Sequence, residues 1–141
     1  MDPQRFRKLA EELAERDPGL SLRLRDARDA ARSLRAAAFD AVEAFRQRAA
    51  EIGAGYLGNI EVSTVEPDDK HLDAVQFRVS RGRLELLCVA IARGEGKLRL
   101  VGPFKRGKDE GPCAEAGLRG PDVETLLEER IAALLREAAG A

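Results

Sequence analysis

Aromatic residues are scarce in this chain, with five Phe, one Tyr and no Trp among 141 residues. Single-stranded RNA modules stack bases on paired sheet aromatics, and no such pair is present. Soft and imidazole ligands are equally few: the chain has two cysteines and one histidine. A structural zinc site wants four ligands at paired spacings, so His71, Cys88 and Cys113 do not suggest one, and no metal or cofactor is expected. Asp68 and Asp69 beside His71 read as a polar turn after Pro67. Two cysteines do not build a disulfide framework. No apolar run approaches the roughly 20 residues that span a membrane. The opening residues Met1, Asp2, Pro3, Gln4 and Arg5 lack a charged-then-apolar signal pattern, and the expectation is a cytoplasmic protein. Net charge is also lacking, with 24 bases against 25 acids, whereas a nonspecific DNA coat is usually basic overall.

What the chain does have is charge segregation. Residues 78–108 hold nine bases (Arg78, Arg81, Arg83, Arg93, Lys97, Arg99, Lys105, Arg106 and Lys108) against Glu85 and Glu95, a balance of +7. Residues 109–141 stand at −5 and residues 61–73 at −4. The basic stretch invites an anionic partner, or it is matched by the acidic segments within the fold or across a dimer. Arg outnumbers Lys nineteen to five, which fits a GC-rich genome better than a function.

The length suits one domain with one core. Apolar residues at 44% and charged residues at 35% give a globular composition. Asp2 and Pro3 start a first helix as N-cap and first helical residue, and Phe6, Leu9, Ala10 and Leu13 recur at helical spacing. Residues 17–19 (Asp-Pro-Gly) stop it. Ser21 is placed to cap a second helix running to about Ile52, ended by Gly53 and Gly55. Leu24, Ala31, Ala38, Phe45 and Ile52 repeat every seven residues, compatible with a coiled-coil seam or an ordinary Ala-rich buried helix. Such a helix is roughly 45 Å long and an eight-residue strand about 27 Å. Its first half is therefore expected to overhang the sheet and to pack on helix 1 or on a second subunit.

Four strands are predicted at about 57–66, 72–80, 83–92 and 97–102. A two-residue turn at Arg81 and Gly82 pairs Val79 with Leu84, Phe77 with Leu86, Val75 with Cys88 and Arg78 with Glu85. A three-residue turn, Gly94 to Gly96, pairs Ala90 with Leu100, Ala92 with Leu98, Ile91 with Arg99 and Val89 with Val101. One sheet face is then wholly apolar. The other sets Leu87, Val89, Ile91 and Val101 among charged residues, which resembles an interaction surface unless a terminal helix covers it. Residues 103–120 read as a long loop, and residues 121–138 as a last helix with Val123, Leu126, Leu127, Ile131, Leu134 and Leu135 buried.

The expected fold is α+β: a helical pair over 1–52, a four-stranded antiparallel meander over 57–102, the loop and a C-terminal helix. Gly102 to Lys108 matches G-x-x-x-x-G-K, but Asp109 stands where a phosphate loop needs Ser or Thr, and Gly111 and Pro112 break the helix that should follow. Nothing brings His71 beside Cys113 as base and nucleophile. The leading expectation is a non-enzymatic interaction or adaptor domain that self-associates, from the unmatched length of helix 2 and the half-apolar sheet face, with Leu87, Val89, Ile91 and Val101 as the interaction surface. The alternative is an anionic partner, nucleic acid or acidic protein, held by Arg83, Arg93, Lys97, Arg99, Lys105, Arg106 and Lys108. Small-molecule binding or catalysis comes third.

Overall fold

The strongest local signals become helices in the computed structural model, which describes residues 1–68, 70–107, 111–120 and 122–140. Helix α1 spans Pro3–Glu15, and Asp2 caps it, its Oδ1 accepting from the Gln4 N–H at 2.9 Å. Helix α2 spans Leu20–Glu51, with Gly19 rather than Ser21 at its N-cap and Gly53 just past its end at φ +77°. Helix α3 spans Val123–Gly140 and buries Val123, Leu127, Ile131 and Leu134.

Six strands, all antiparallel to their neighbours, form one sheet: β1 (Glu61–Val62), β2 (Glu66–Pro67), β3 (Ala74–Arg81), β4 (Leu84–Ile91), β5 (Lys97–Lys105) and β6 (Cys113–Gly117). The order is β1-β3-β4-β5-β6, and β2 also pairs with β3. The α+β class and the helix–sheet–helix order match the expectation, and the strand count rises from four to six. The expected strand at 57–66 becomes a 3-10 turn at Gly55–Gly58 followed by the two short strands β1 and β2. The expected loop at 103–120 instead contains the end of β5 and all of β6. β6 reads Cys-Ala-Glu-Ala-Gly, with none of the β-branched or aromatic residues that mark a strand.

Both hairpin registers differ from expectation by two residues. Val79 pairs with Leu86, Phe77 with Cys88 and Val75 with Ala90, because the turn is Gly82 and Arg83. Gly82 takes φ +58°, the sign a II′-type hairpin needs at its first central residue. In the second hairpin Ala90 pairs with Leu98, Val89 with Arg99 and Ile91 with Lys97, because the loop is five residues long. The Ala92 N–H there bonds the Asp73 carbonyl at 2.7 Å and so leaves the β4–β5 ladder. A two-residue slip preserves the strand alternation. Phe77, Leu86 and Leu100 therefore still share the helix-covered face, while Arg78, Glu85 and Arg99 share the other. Arg78 lies opposite Leu87 and reaches Glu85 diagonally, Nη1 to Oε1 4.0 Å.

The core lies between that first face and helices α2 and α3, with Phe77, Leu86, Leu98, Leu100, Leu127 and Leu134 fully buried. The expected overhang of α2 is not observed: buried residues run from Ala27 to Ala49, and Leu20 and Leu24 pack half-buried against the core. Helix α2 crosses several strands and also meets α3, so the length of one strand does not limit its contact. Arg23 Nε donates to the Ala92 carbonyl (3.3 Å) near one end of α2, and Arg46 Nη2 to the Ile60 carbonyl (2.6 Å) near the other. The expected helical pair is also absent. Every residue of α1 is exposed, including Phe6, Leu9 and Leu13.

A bulge in β5 completes the frame. Val101 pairs with Leu87 and Phe104 with Glu85, so Gly102 and Pro103 together oppose Leu86. An extra residue reverses the alternation beyond it, and Phe104 turns to the face opposite the core. Gly102 has φ +118°, and a Cβ there would meet the Glu85 carbonyl oxygen at 2.6 Å. Gly102→Ala is expected to cost about 1–3 kcal/mol from backbone strain, read as a lowered urea midpoint. An unchanged midpoint would show that this glycine does not hold the bulge.

Candidate functional site on the open sheet face

The alternation that sends Leu86, Cys88 and Ala90 to the helices sends Leu87, Val89 and Ile91 the other way. Val101 and, after the bulge, Phe104 join them from β5. These five residues floor a concavity of about 770 Å³. They form no part of the core cluster between sheet and helices. Val89 and Phe104 are each 7% exposed, shielded by the long side chains around them, and Leu87, Ile91 and Val101 are half-buried. Gln76 from β3 is the polar residue of the floor. Asp68, Lys70, His71 and Asp73 also line the concavity.

Charge surrounds this floor, and the ion pairs are local. Arg93 Nε lies 3.0 Å from Asp73 Oδ2. Glu85, buried except for a tenth of its side chain, lies 3.5 Å from Arg106 Nε and 4.0 Å from Arg78 Nη1. Glu115 of β6 accepts from Arg99 Nε (3.1 Å) and Nη2 (2.9 Å), and Lys97 Nζ approaches its other oxygen at 3.4 Å. The Arg99 hydrogen bonds, then Lys97, hold the Glu115 carboxyl below the usual carboxylate range. Among the described residues the lining of the concavity counts six bases against three acids, a formal balance of +3.

Leu87, Val89, Ile91 and Val101 thus lie together, and Arg93, Lys97, Arg99 and Arg106 ring them. Arg83 and Lys105 do not line the concavity: Arg83 sits in the β3–β4 turn, and Lys105, past the bulge, pairs with Leu84 of the core-facing set. Lys108 lies outside the described residues, as do Asp69, Asp109 and Pro121. Two participants escaped the sequence reading. Phe104 enters the floor only through the bulge, for which Gly102 beside a strand end was the available signal. Glu115 needs β6, which carries no strand signature.

Catalytic groupings are not assembled here. Cys88 is buried, and desolvation pushes its thiol far above the ordinary range. Cys113 is exposed on β6, whereas His71 precedes β3, three strand spacings of about 4.8 Å away. Among the described residues no three His, Cys, Asp or Glu side chains cluster as metal ligands, and no helix is long and apolar enough to cross a membrane. Gly102 to Lys105 of the phosphate-loop-like motif belong to antiparallel β5 rather than to a loop entering a helix. No protein-family model matches the chain, and no curated protein or solved structure is significantly similar to it.

Glu115 gives a pH prediction. Its carboxyl binds a proton less readily folded than unfolded, so its contribution to stability is present above the unfolded pKa and fades as pH falls through the lower folded value. A carboxyl-carbon NMR titration should place its midpoint below the reference value of 4.5. Arg99→Gln should move that midpoint upward; no movement would assign the shift to another group.

Proposed function

We propose that the chain is a non-enzymatic interaction domain that self-associates and serves assembly, with the open sheet face receiving an apolar segment of a protein. The observation that carries this reading is the apolar floor of β4 and β5, separate from the core and uncovered by α2 or α3. An apolar centre within a charged rim is the anatomy of a protein interface. The rim cations Arg93, Lys97, Arg99 and Arg106 each face a carboxylate of their own chain, which suits specificity toward a protein better than capture of a polyanion.

Leu87→Glu/Ile91→Glu alters two half-buried floor positions and should leave the core folded, with a thermal midpoint lowered only by the loss of self-association. It should abolish recovery of the proteins that the wild-type chain retains from its native host. Equal recovery by both chains would defeat the reading.

A second reading, an anionic partner, draws on the +3 balance of the lining. It predicts binding to a labelled single-stranded oligonucleotide with a salt slope that flattens by up to about three units when Lys97, Arg99 and Arg106 of that lining become Ala, since each phosphate contact releases condensed counterions. The interaction reading expects no such binding at physiological salt.

A further inference from the structure

Helix α1 is the one helix of this chain whose apolar side chains touch no core. Phe6, Leu9 and Leu13 make a single stripe at i, i+3 and i+7, and they are 54%, 41% and 50% exposed. Helices of 13 residues are marginal in isolation. The charges of α1 also oppose its own dipole: Arg5, Arg7 and Lys8 sit toward the N-terminus and Glu11, Glu12 and Glu15 toward the C-terminus, the reverse of the favourable order. The Asp2 cap, Pro3 at the first helical position and the i,i+4 pairs Arg7/Glu11 and Lys8/Glu12 offset this only in part. Such a helix gains stability by docking on a surface that takes its stripe and answers its acidic end.

The open sheet face has both properties. From Leu87 to Ile91 the floor runs four residues, about 14 Å, and the stripe from Phe6 to Leu13 runs seven helical residues, about 10 Å. Arg93, Lys97 and Arg99 stand at the Ile91 end, where Glu11, Glu12 and Glu15 would lie. At the opposite end Glu85 already lies 3.5 Å from Arg106 and 4.0 Å from Arg78, so the charge match is confined to the Ile91 end.

The face that α1 reaches is not its own. Helix α2 lies on the far side of the sheet, and two helices about 10–12 Å in diameter on opposite faces have axes on the order of 20 Å apart. The five steps from Glu15 to Leu20, fully extended, reach about 18 Å before any detour around the sheet end. They are not extended: Asp17 Oδ2 holds Arg23 Nη2 at 2.6 Å, and the Leu20 N–H bonds the Asp17 carbonyl at 3.1 Å. Resting on the open face as a protein-receiving surface, we propose that its occupant is helix α1 of a second copy, exchanged reciprocally. Each copy then contributes one helix and one groove, two equal contacts that close a two-fold dimer.

Light scattering of the full chain at about 10 µM should give twice the 15.4 kDa chain mass. Phe6→Glu/Leu13→Glu, and separately Leu87→Glu/Ile91→Glu, should each raise the dissociation constant at least 100-fold, with helical circular dichroism lowered by no more than the 13 residues of α1. Mixing these two variants should restore a heterodimer, because one carries an intact groove and the other an intact helix. With Cys113→Ser as background, Leu9→Cys/Val89→Cys should form a disulfide between chains on mild oxidation. A wild-type monomer, or a disulfide formed within one chain, overturns the exchange. A dimer that survives Phe6→Glu/Leu13→Glu but is lost with Leu87→Glu/Ile91→Glu overturns the role of α1 and leaves the open face as the receiving surface. If the floor variant keeps both its dimer and the host proteins recovered by wild type, both proposals fail together.

Discussion

The two-residue period of β4 is the constraint on which the rest of the molecule depends. Eight residues in a central strand, seven of them apolar, leave the chain no way to bury all of them beneath one layer of helices. Leu84, Leu86, Cys88 and Ala90 go to α2 and α3. Leu87, Val89 and Ile91 are then committed to the other face by geometry alone. The helix side is closed: α2 contributes Ala27, Ala30, Ala31, Ala38 and Ala49 among its buried residues, and these small side chains let it approach the sheet closely. What remains is an apolar floor on one side and an unpacked amphipathic helix at the start of the chain.

Much of this was legible because side-chain alternation tolerates the errors made. Both turns were misplaced, yet each slip was of two residues, so Phe77 and Leu100 stayed on the core face and Arg99 stayed off it. Leu87, Val89, Ile91 and Val101 were grouped correctly for the same reason. The bulge was not legible, because its effect is a change of parity at Gly102 that no hydrophobic pattern announces, and the place of Phe104 in the floor depends on it. β6 was missed because Cys113 to Gly117 lack strand propensity and are held in place by β5. The overhang of α2 was wrongly inferred by setting helix length against one strand, where the helix crosses several. The pairing of α1 with α2 is not observed, since every residue of α1 is exposed.

The positive run at 78–108 also changes meaning once folded. Among the described residues, Arg78, Arg93, Lys97, Arg99 and Arg106 meet Asp73, Glu85 and Glu115 on neighbouring strands and loops rather than the acidic helix α3. Several arginines have a different duty. Arg35 and Arg46 of α2 donate to the carbonyls of Val62, Ser63, Gly58 and Ile60, and Arg81 donates to those of Tyr56, Leu57 and Asn59. A planar fork of donors can serve several carbonyls at once, as a lysine cannot. The stretch between α2 and β3 has little ladder of its own, and guanidinium groups satisfy it instead.

The shortness of β6 has a consequence for the fate of the molecule at high concentration. It is the last strand of the sheet, five residues long, and its outer backbone groups are available to another chain. An antiparallel encounter of two such edges centred on Glu115 would set Glu115 directly opposite its twin, and like charges directly opposite are destabilising. The edge is thereby guarded against sheet-to-sheet growth, the route by which exposed strands seed fibres.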